Sequence, residues 1–246
     1  MTKNIKLEVC VDSLEGAVVA QKAGAYRLEL CSGLIEGGIT PSFGLIKSIR
    51  ELDIKLNVLI RPRGGDFLYT DFEYEIMKQD IHICGKLGCD GVVIGVLNPD
   101  GTIDKDRNRE LIRIAHTYSM SVTFHRAFDR TNDLFRALED VIGLKCDRIL
   151  TSGGYDSALK GAEILLNLKR QAGNKIIIMP GAGITPQNAC ELIEKTEAAE
   201  IHGTFRSKYN SEMLYRNTEL SNQDEEYTYL KTDYNKIKTV ILSINI

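Results

Sequence analysis

Five residues have the types and positions to do chemistry together: Cys10, Glu29, Cys31, Arg61 and His125. Each sits near the downstream end of a short, β-branched run: IKLEVCV, YRLELC, KLNVLIR and MSVTFHR. Strand side chains alternate faces, so residues two apart share one. Glu8 then lies with Cys10, Glu29 with Cys31, Thr123 with His125, Arg148 with Ser152, and Glu200 with His202. The other face carries Leu7, Val9, Leu28, Leu30, Val122, Phe124 and Ile201. An enclosed carboxylate and imidazole can be tuned toward neutral pH, which makes Glu29 and His125 a candidate acid–base pair with Arg61 as anion binder.

The loops after the strands add possible anion donors. Arg61-Pro62-Arg63-Gly64-Gly65 places two guanidinium groups around a stiff proline. Ser152-Gly153-Gly154 and Gly181-Ala182-Gly183 are expected to lead into helix N-termini, where free amides attract anions. Tight turns use glycine in any case, so these motifs gain weight only together with Arg61. No lysine ends a strand, which argues against a Schiff-base aldolase.

The elements that must position these groups follow one repeating pattern. Strands are expected at 5–11, 26–31, 55–61, 90–95, 120–126, 147–152, 175–180 and 199–204, with a helical stretch between each pair. Asp12-Ser-Leu-Glu15 reads as a capping box, and Thr40-Pro41 and Thr185-Pro186 as helix starts. Gly24, Gly88 and Gly143 stand where helices should stop. Eight strands alternating with helices predict a (β/α)8 barrel of the TIM type, whose active sites lie at the carboxyl ends of the strands. A doubly wound nucleotide fold would want GxGxxG after its first strand; the chain has Val11-Asp12-Ser13. Beyond the barrel, 205–231 is polar, most strongly from Asn217 to Glu226. Thr232 to Ile244 then has the spacing of an extra C-terminal helix. The whole chain of 1–246 is expected to be one domain.

Composition narrows the function classes. The chain has 246 residues, close to the roughly 250 of a complete barrel. It is 43% hydrophobic and 26% charged, enough apolar material for a large core. Its net charge of −3 and lack of a basic stripe argue against nucleic acid, and it has no apolar run of membrane-spanning length. Its first residues do not read as a signal peptide, so the expected location is the cytosol. The six cysteines are scattered and are expected to be thiols there.

Two of those thiols could share an ion. Adjacent strands lie about 4.8 Å apart, so Cys10 and Cys31 could hold Cu(I), which prefers sulfur ligands. The plainer reading of two such cysteines is a pair of small buried hydrophobes, the commonest fate of a free cysteine. Cys84, Cys89, Cys146 and Cys190 read as packing residues.

Longer motifs bear on this choice. Glu8-Val-Cys10-Val-Asp12, Glu29-Leu-Cys31-Ser-Gly33-Leu, Glu36-Gly-Gly38 and Ile60-Arg-Pro-Arg-Gly-Gly-Asp-Phe67 resemble the CutC family. So do Thr123-Phe-His-Arg-Ala-Phe-Asp129, Leu150-Thr-Ser-Gly153 and Met179-Pro-Gly-Ala-Gly-Ile-Thr185, in order along most of the chain. The resemblance implies a barrel protein of copper homeostasis, cytosolic and homo-oligomeric as a dimer or tetramer. It also implies Cu(I) on cysteines, at positions matching Cys10 and Cys31. Gly203-Thr204 leaves no third thiol after His202.

Two functions therefore stand side by side. One is Cu(I) binding by Cys10 and Cys31. The other is a lyase- or isomerase-like enzyme acting on a small anionic, sugar-like substrate. Within the second, a divalent metal on Glu8, Glu29, His125 and His202 is open. The lumen charges have a plainer reading as well, a buried ion network in which Arg61 and Arg148 neutralise Glu8, Glu29 and Glu200.

Overall fold

The computed structural model describes residues 5–217, 219 and 226–245. Among these, eight parallel strands form one sheet: β1 (Lys6–Val11), β2 (Arg27–Leu30), β3 (Lys55–Leu59), β4 (Gly91–Ile94), β5 (Ser121–Phe124), β6 (Arg148–Thr151), β7 (Ile177–Pro180) and β8 (Glu200–Gly203). The ladder runs from β7 back through β1 to β8. Strand β8 packs beside β7, which closes the ring as a (β/α)8 barrel. The helices α1 (Leu14–Ala23), α2 (Phe43–Arg50), α3 (Asp71–Lys86), α4 (Lys105–Thr117), α5 (Leu134–Gly143), α6 (Ala162–Ala172) and α7 (Ala189–Thr196) fall between successive strands. Such crossovers are what parallel pairing demands.

The alternation along each strand sorts the side chains. Val9, Leu28, Leu30, Val58, Val92, Val122, Phe124 and Ile201 are fully buried between strands and helices. Residues of the opposite parity turn into the lumen. Strands β2, β3, β5 and β6 stop one or two residues before the expected ends, so Cys31, His125 and Ser152 occupy the first position beyond them and Arg61 the second. Backbone bonds from Cys31 N to Val11 O and from His125 N to Ile94 O still continue the ladder there.

Local starts differ from the sequence signals in three places. Ser13, not Asp12, caps α1, with its hydroxyl accepting from Gly16 N. Helix α2 begins at Phe43 under a Ser42 cap, and the Thr40 hydroxyl accepts from Arg61 N instead. Residues Thr185 to Asn188 make a turn, and α7 starts only at Ala189. A neighbouring hydroxyl moved the first boundary, a tertiary bond to the Thr40 hydroxyl the second, and the Asn188 side chain, which accepts from Thr185 N, holds the turn at the third.

The polar stretch after β8 contains an antiparallel hairpin that the sequence pattern did not mark. It consists of β9 (Arg206–Asn210) and β10 (Thr228–Thr232). Much of the polar span from 217 to 226 lies outside the described residues. Helix α8 (Tyr234–Ile244) follows under an Asp233 cap and packs against α1 and α7. It thus takes the eighth place in the helix ring rather than standing as an addition to it. No helix of the described residues is long and apolar enough to cross a membrane.

Candidate functional site

The deepest polar layer of the lumen is an ion network. Arg27 of β2 reaches across to Glu8 of β1 and, at 2.7 Å, to Glu200 of β8. Arg148 of β6 stands 3.3 Å from Glu200. All four side chains are buried. Desolvating such ions costs several kcal/mol each, so only this mutual pairing makes the arrangement tolerable. Burial pushes the Glu8 carboxyl up, but the His202 hydrogen bond and the Arg27 charge outweigh it and hold it at about 2.

His202 links this layer to the cavity above. Its Nδ1 donates to Glu8 Oε1 at 2.8 Å, which turns Nε2 toward Glu29 Oε2, 3.5 Å away. A carboxylate behind an imidazole fixes ring orientation in this way at many metal and catalytic sites. Burial would lower the His202 pKa, but the Glu29 and Glu8 charges reverse it and raise the group. Burial raises Glu29, against the pull of His202.

Cys10 stands opposite Glu29 in the β1–β2 register. Its Sγ lies 3.4 Å from Cys31 Sγ, and both thiols are buried against Leu59 and Val93. Ligand atoms of Cys10, Glu29 and His202 all fall within 4.8 Å of one another. The Cys31 hydrogen bond, then burial and the Glu29 charge, push the Cys10 thiol well up.

Across the mouth, Arg61 is a buried cation held by neutral partners. Its Nη1 donates to Glu36 O at 2.8 Å and Gly38 O at 2.7 Å, and Nη2 to Gly65 O at 2.7 Å. Its guanidinium lies 5.0 Å from the centre of the Phe67 ring. His125 Nδ1 accepts from Ala127 N, and its Nε2 is buried without a partner. Burial and then the Arg61 charge depress the imidazole to about 3. The ring is therefore neutral near pH 7, with its proton on Nε2.

These groups border one cavity of about 550 Å³ at the carboxyl ends of the strands. Its wall includes Cys10, Glu29, Arg61, His125, Gly183, Thr185 and His202. Ala182 in that wall has φ 83°, a strained value for a residue with a Cβ. Strain of this kind collects at functional sites.

Several expected roles change. Glu29 has His202 as its close imidazole partner, not His125, because β8 rather than β5 neighbours β1. Arg27, not Arg61, joins Arg148 in neutralising the lumen carboxylates. The metal-ligating group that converges is Cys10, Glu29 and His202; Glu8 is taken up by Arg27 and His202, and His125 lies outside that group. Arg63 points away from the cavity to Glu73 at 2.6 Å and Asp66 at 2.9 Å. The Ser152-Gly153-Gly154 turn is filled by the chain's own Asp129, which accepts from Ser152 N and Gly154 N. Helix α6 begins only at Ala162, so that turn has no helix N-terminus behind it. Gly181 N is bonded to Thr151 O, whereas Gly183 lines the cavity.

Comparison with known proteins now adds the family. The CutC family model matches residues 5–207. The chain belongs to the CutC family. It is 45% identical over 242 residues to a family protein CutC of Xylella fastidiosa, covering 98% of this chain and 89% of the relative. It is 45% identical over 239 residues to the copper homeostasis protein cutC homolog of Mus musculus, covering 95% and 87%. A solved CutC structure from Streptococcus agalactiae superposes with a TM-score of 0.77 at 33% identity, covering 81% of this chain and 98% of the other.

Within this CutC barrel, sequence reasoning missed Arg27, Arg206 and Asp129. Arg27 was recoverable: it is two residues before Glu29 and so shares its face. The roles of Asp129 on the Ser152 turn and of Arg206 beside Asp12 carry no local signal, because those partners are distant in sequence.

Proposed function

We propose that this CutC protein binds Cu(I) through Cys10 and Cys31 and so serves copper homeostasis. The observation that carries the reading is the 3.4 Å approach of the two buried thiols at the ends of adjacent strands. Copper homeostasis in the name of the mouse relative supports it. Thiolate pairs suit Cu(I), a soft ion, better than hard divalent cations. Coordination releases one proton from each thiol and leaves a net negative bis-thiolate complex. Glu29 beside Cys10 is placed to accept a departing proton. His202, raised and poised behind Glu29, offsets the complex's charge. The apolar seat of Leu59 and Val93 excludes water and hard ligands from the pair.

The test is an anaerobic Cu(I) competition titration with a chromogenic chelator. The wild type is expected to take up one equivalent, and Cys10→Ser/Cys31→Ser none. Stoichiometric uptake by the double variant at wild-type affinity would refute the reading.

A further inference from the structure

Copper on two thiols leaves the other side of the cavity unexplained. Among the described residues, its lining carries four cations, Arg61, Arg126, Arg206 and Lys236, against one carboxylate, Glu29. Arg126 is paired with Asp129 at 2.8 Å, and Arg206 stands 3.5 Å from Asp12. Arg61 donates to three backbone carbonyls, lies near the Tyr69 hydroxyl, and among the described residues forms no ion pair; Asp66, which feels its charge, is exposed and paired with Arg63. Three buried donors of this lining have no hydrogen-bond partner: His125 Nε2, Arg61 Nε and Arg206 Nε. Unpaired buried polar groups are rare and costly, and three around one cavity call for a ligand. Neutral His125 can offer only Nε2–H to it, because Nδ1 is already accepting from Ala127 N. Apolar walls from Leu34, Phe67, Leu150, Ile184 and Phe205 complete the enclosure. Its volume falls in the range of pockets for metabolite-sized ligands.

We infer that this cavity is a binding site for a small organic oxyanion, a carboxylate or phosphate ester of metabolite size. The anion supplies the counter-charge that Arg61 lacks and accepts from His125 Nε2–H. The rest of the ligand lies against the apolar wall. The two sources of such an oxyanion differ in charge and geometry, so separate probes distinguish them.

Calorimetric titration of the reduced, copper-free protein with lactate, glycerol 3-phosphate and uncharged glycerol tests the site. One of the two anions is expected to bind saturably at millimolar concentration or below, and glycerol not at all. His125→Asn keeps an acceptor for Ala127 N and removes the Nε2–H donor; it is expected to weaken that anion about tenfold or more. Arg126→Ala, at the exposed rim, is the second variant and is expected to weaken it less. The inference is overturned if neither anion saturates or if glycerol binds equally. Unchanged affinity in both His125→Asn and Arg126→Ala overturns it too.

Discussion

Acid should destabilise this barrel through His125, by an amount that can be worked out. The imidazole is held neutral at a folded-state pKa of about 3 by burial and by Arg61. In the unfolded chain it titrates near the ordinary value of about 6.5. Its folded pKa is the lower one, so the unfolded state binds more protons between the two values. Stability is full above about pH 6.5 and falls as pH drops toward 3. Between pH 7 and pH 5 the loss is about 2 kcal/mol, and it hardly changes if the folded pKa is as high as about 4. Glu8, held at about 2, begins to matter only below its unfolded range near 4.5. Glu29 and His202 are both raised, so they lose stability as pH rises and act with the opposite sign. Comparison with His125→Asn cancels these other groups. Urea-unfolding midpoints of both proteins at pH 7, 6 and 5 provide the assay. The wild type should lose about 2 kcal/mol more than the variant over that span. Parallel pH profiles would show that His125 titrates in the folded protein as it does in the unfolded chain, and would refute the argument from burial.

Three other outcomes are expected. Arg27→Met leaves Glu8 and Glu200 buried with reduced compensation and should cost about 3–5 kcal/mol in thermal or urea unfolding. Adding Glu8→Gln should recover part of that loss, and no recovery would mean that packing, not charge, is at stake. Asp129→Asn keeps the shape but weakens the bonds to Ser152 N and Gly154 N, costing about 1–3 kcal/mol, with faster proteolytic nicking between 153 and 160 as the readout. Cu(I) affinity should fall as pH drops from 8 to 6.5, because the raised Cys10 thiol must lose its proton to bind. An affinity independent of pH over that span would speak against a bis-thiolate site.

The arrangement also explains why a barrel tolerates so many ions in its lumen. Lumens of this fold are ordinarily filled with branched apolar residues. Here the lower layer is a charge network with short reach between neighbouring strands β8, β1 and β2. It supports His202 from below, and His202 in turn faces Glu29 and Cys10. A rigid polar floor of this kind holds the cavity groups in fixed orientation, as a binding site requires.

Eight strands, their order and the two faces of each were legible in the residues, because alternation with period two is a local property that burial on one face enforces. The same rule brought Glu8 with Cys10 and Glu29 with Cys31, and it contained Arg27 for a reader who carried it two residues further back. The neighbour relation of Cys10 and Cys31 followed as well, since consecutive strands of a barrel pair side by side. Partner choice across the lumen was another matter. Whether Glu29 meets His125 or His202 depends on which strands adjoin once the ring closes, and β8 beside β1 is a contact separated by nearly the whole chain. The same holds for the glycine turn after β6: its free amides looked ready for a ligand, yet Asp129 from the preceding loop reaches them first. Helix starts shifted for the same reason, because a hydroxyl such as that of Thr40 serves whichever backbone donor the fold presents. Residue type and parity thus determined which groups enter the lumen. Only ring closure and loop packing decided which of them are spent on one another and which, like His125 Nε2, are left without a partner beside a cavity.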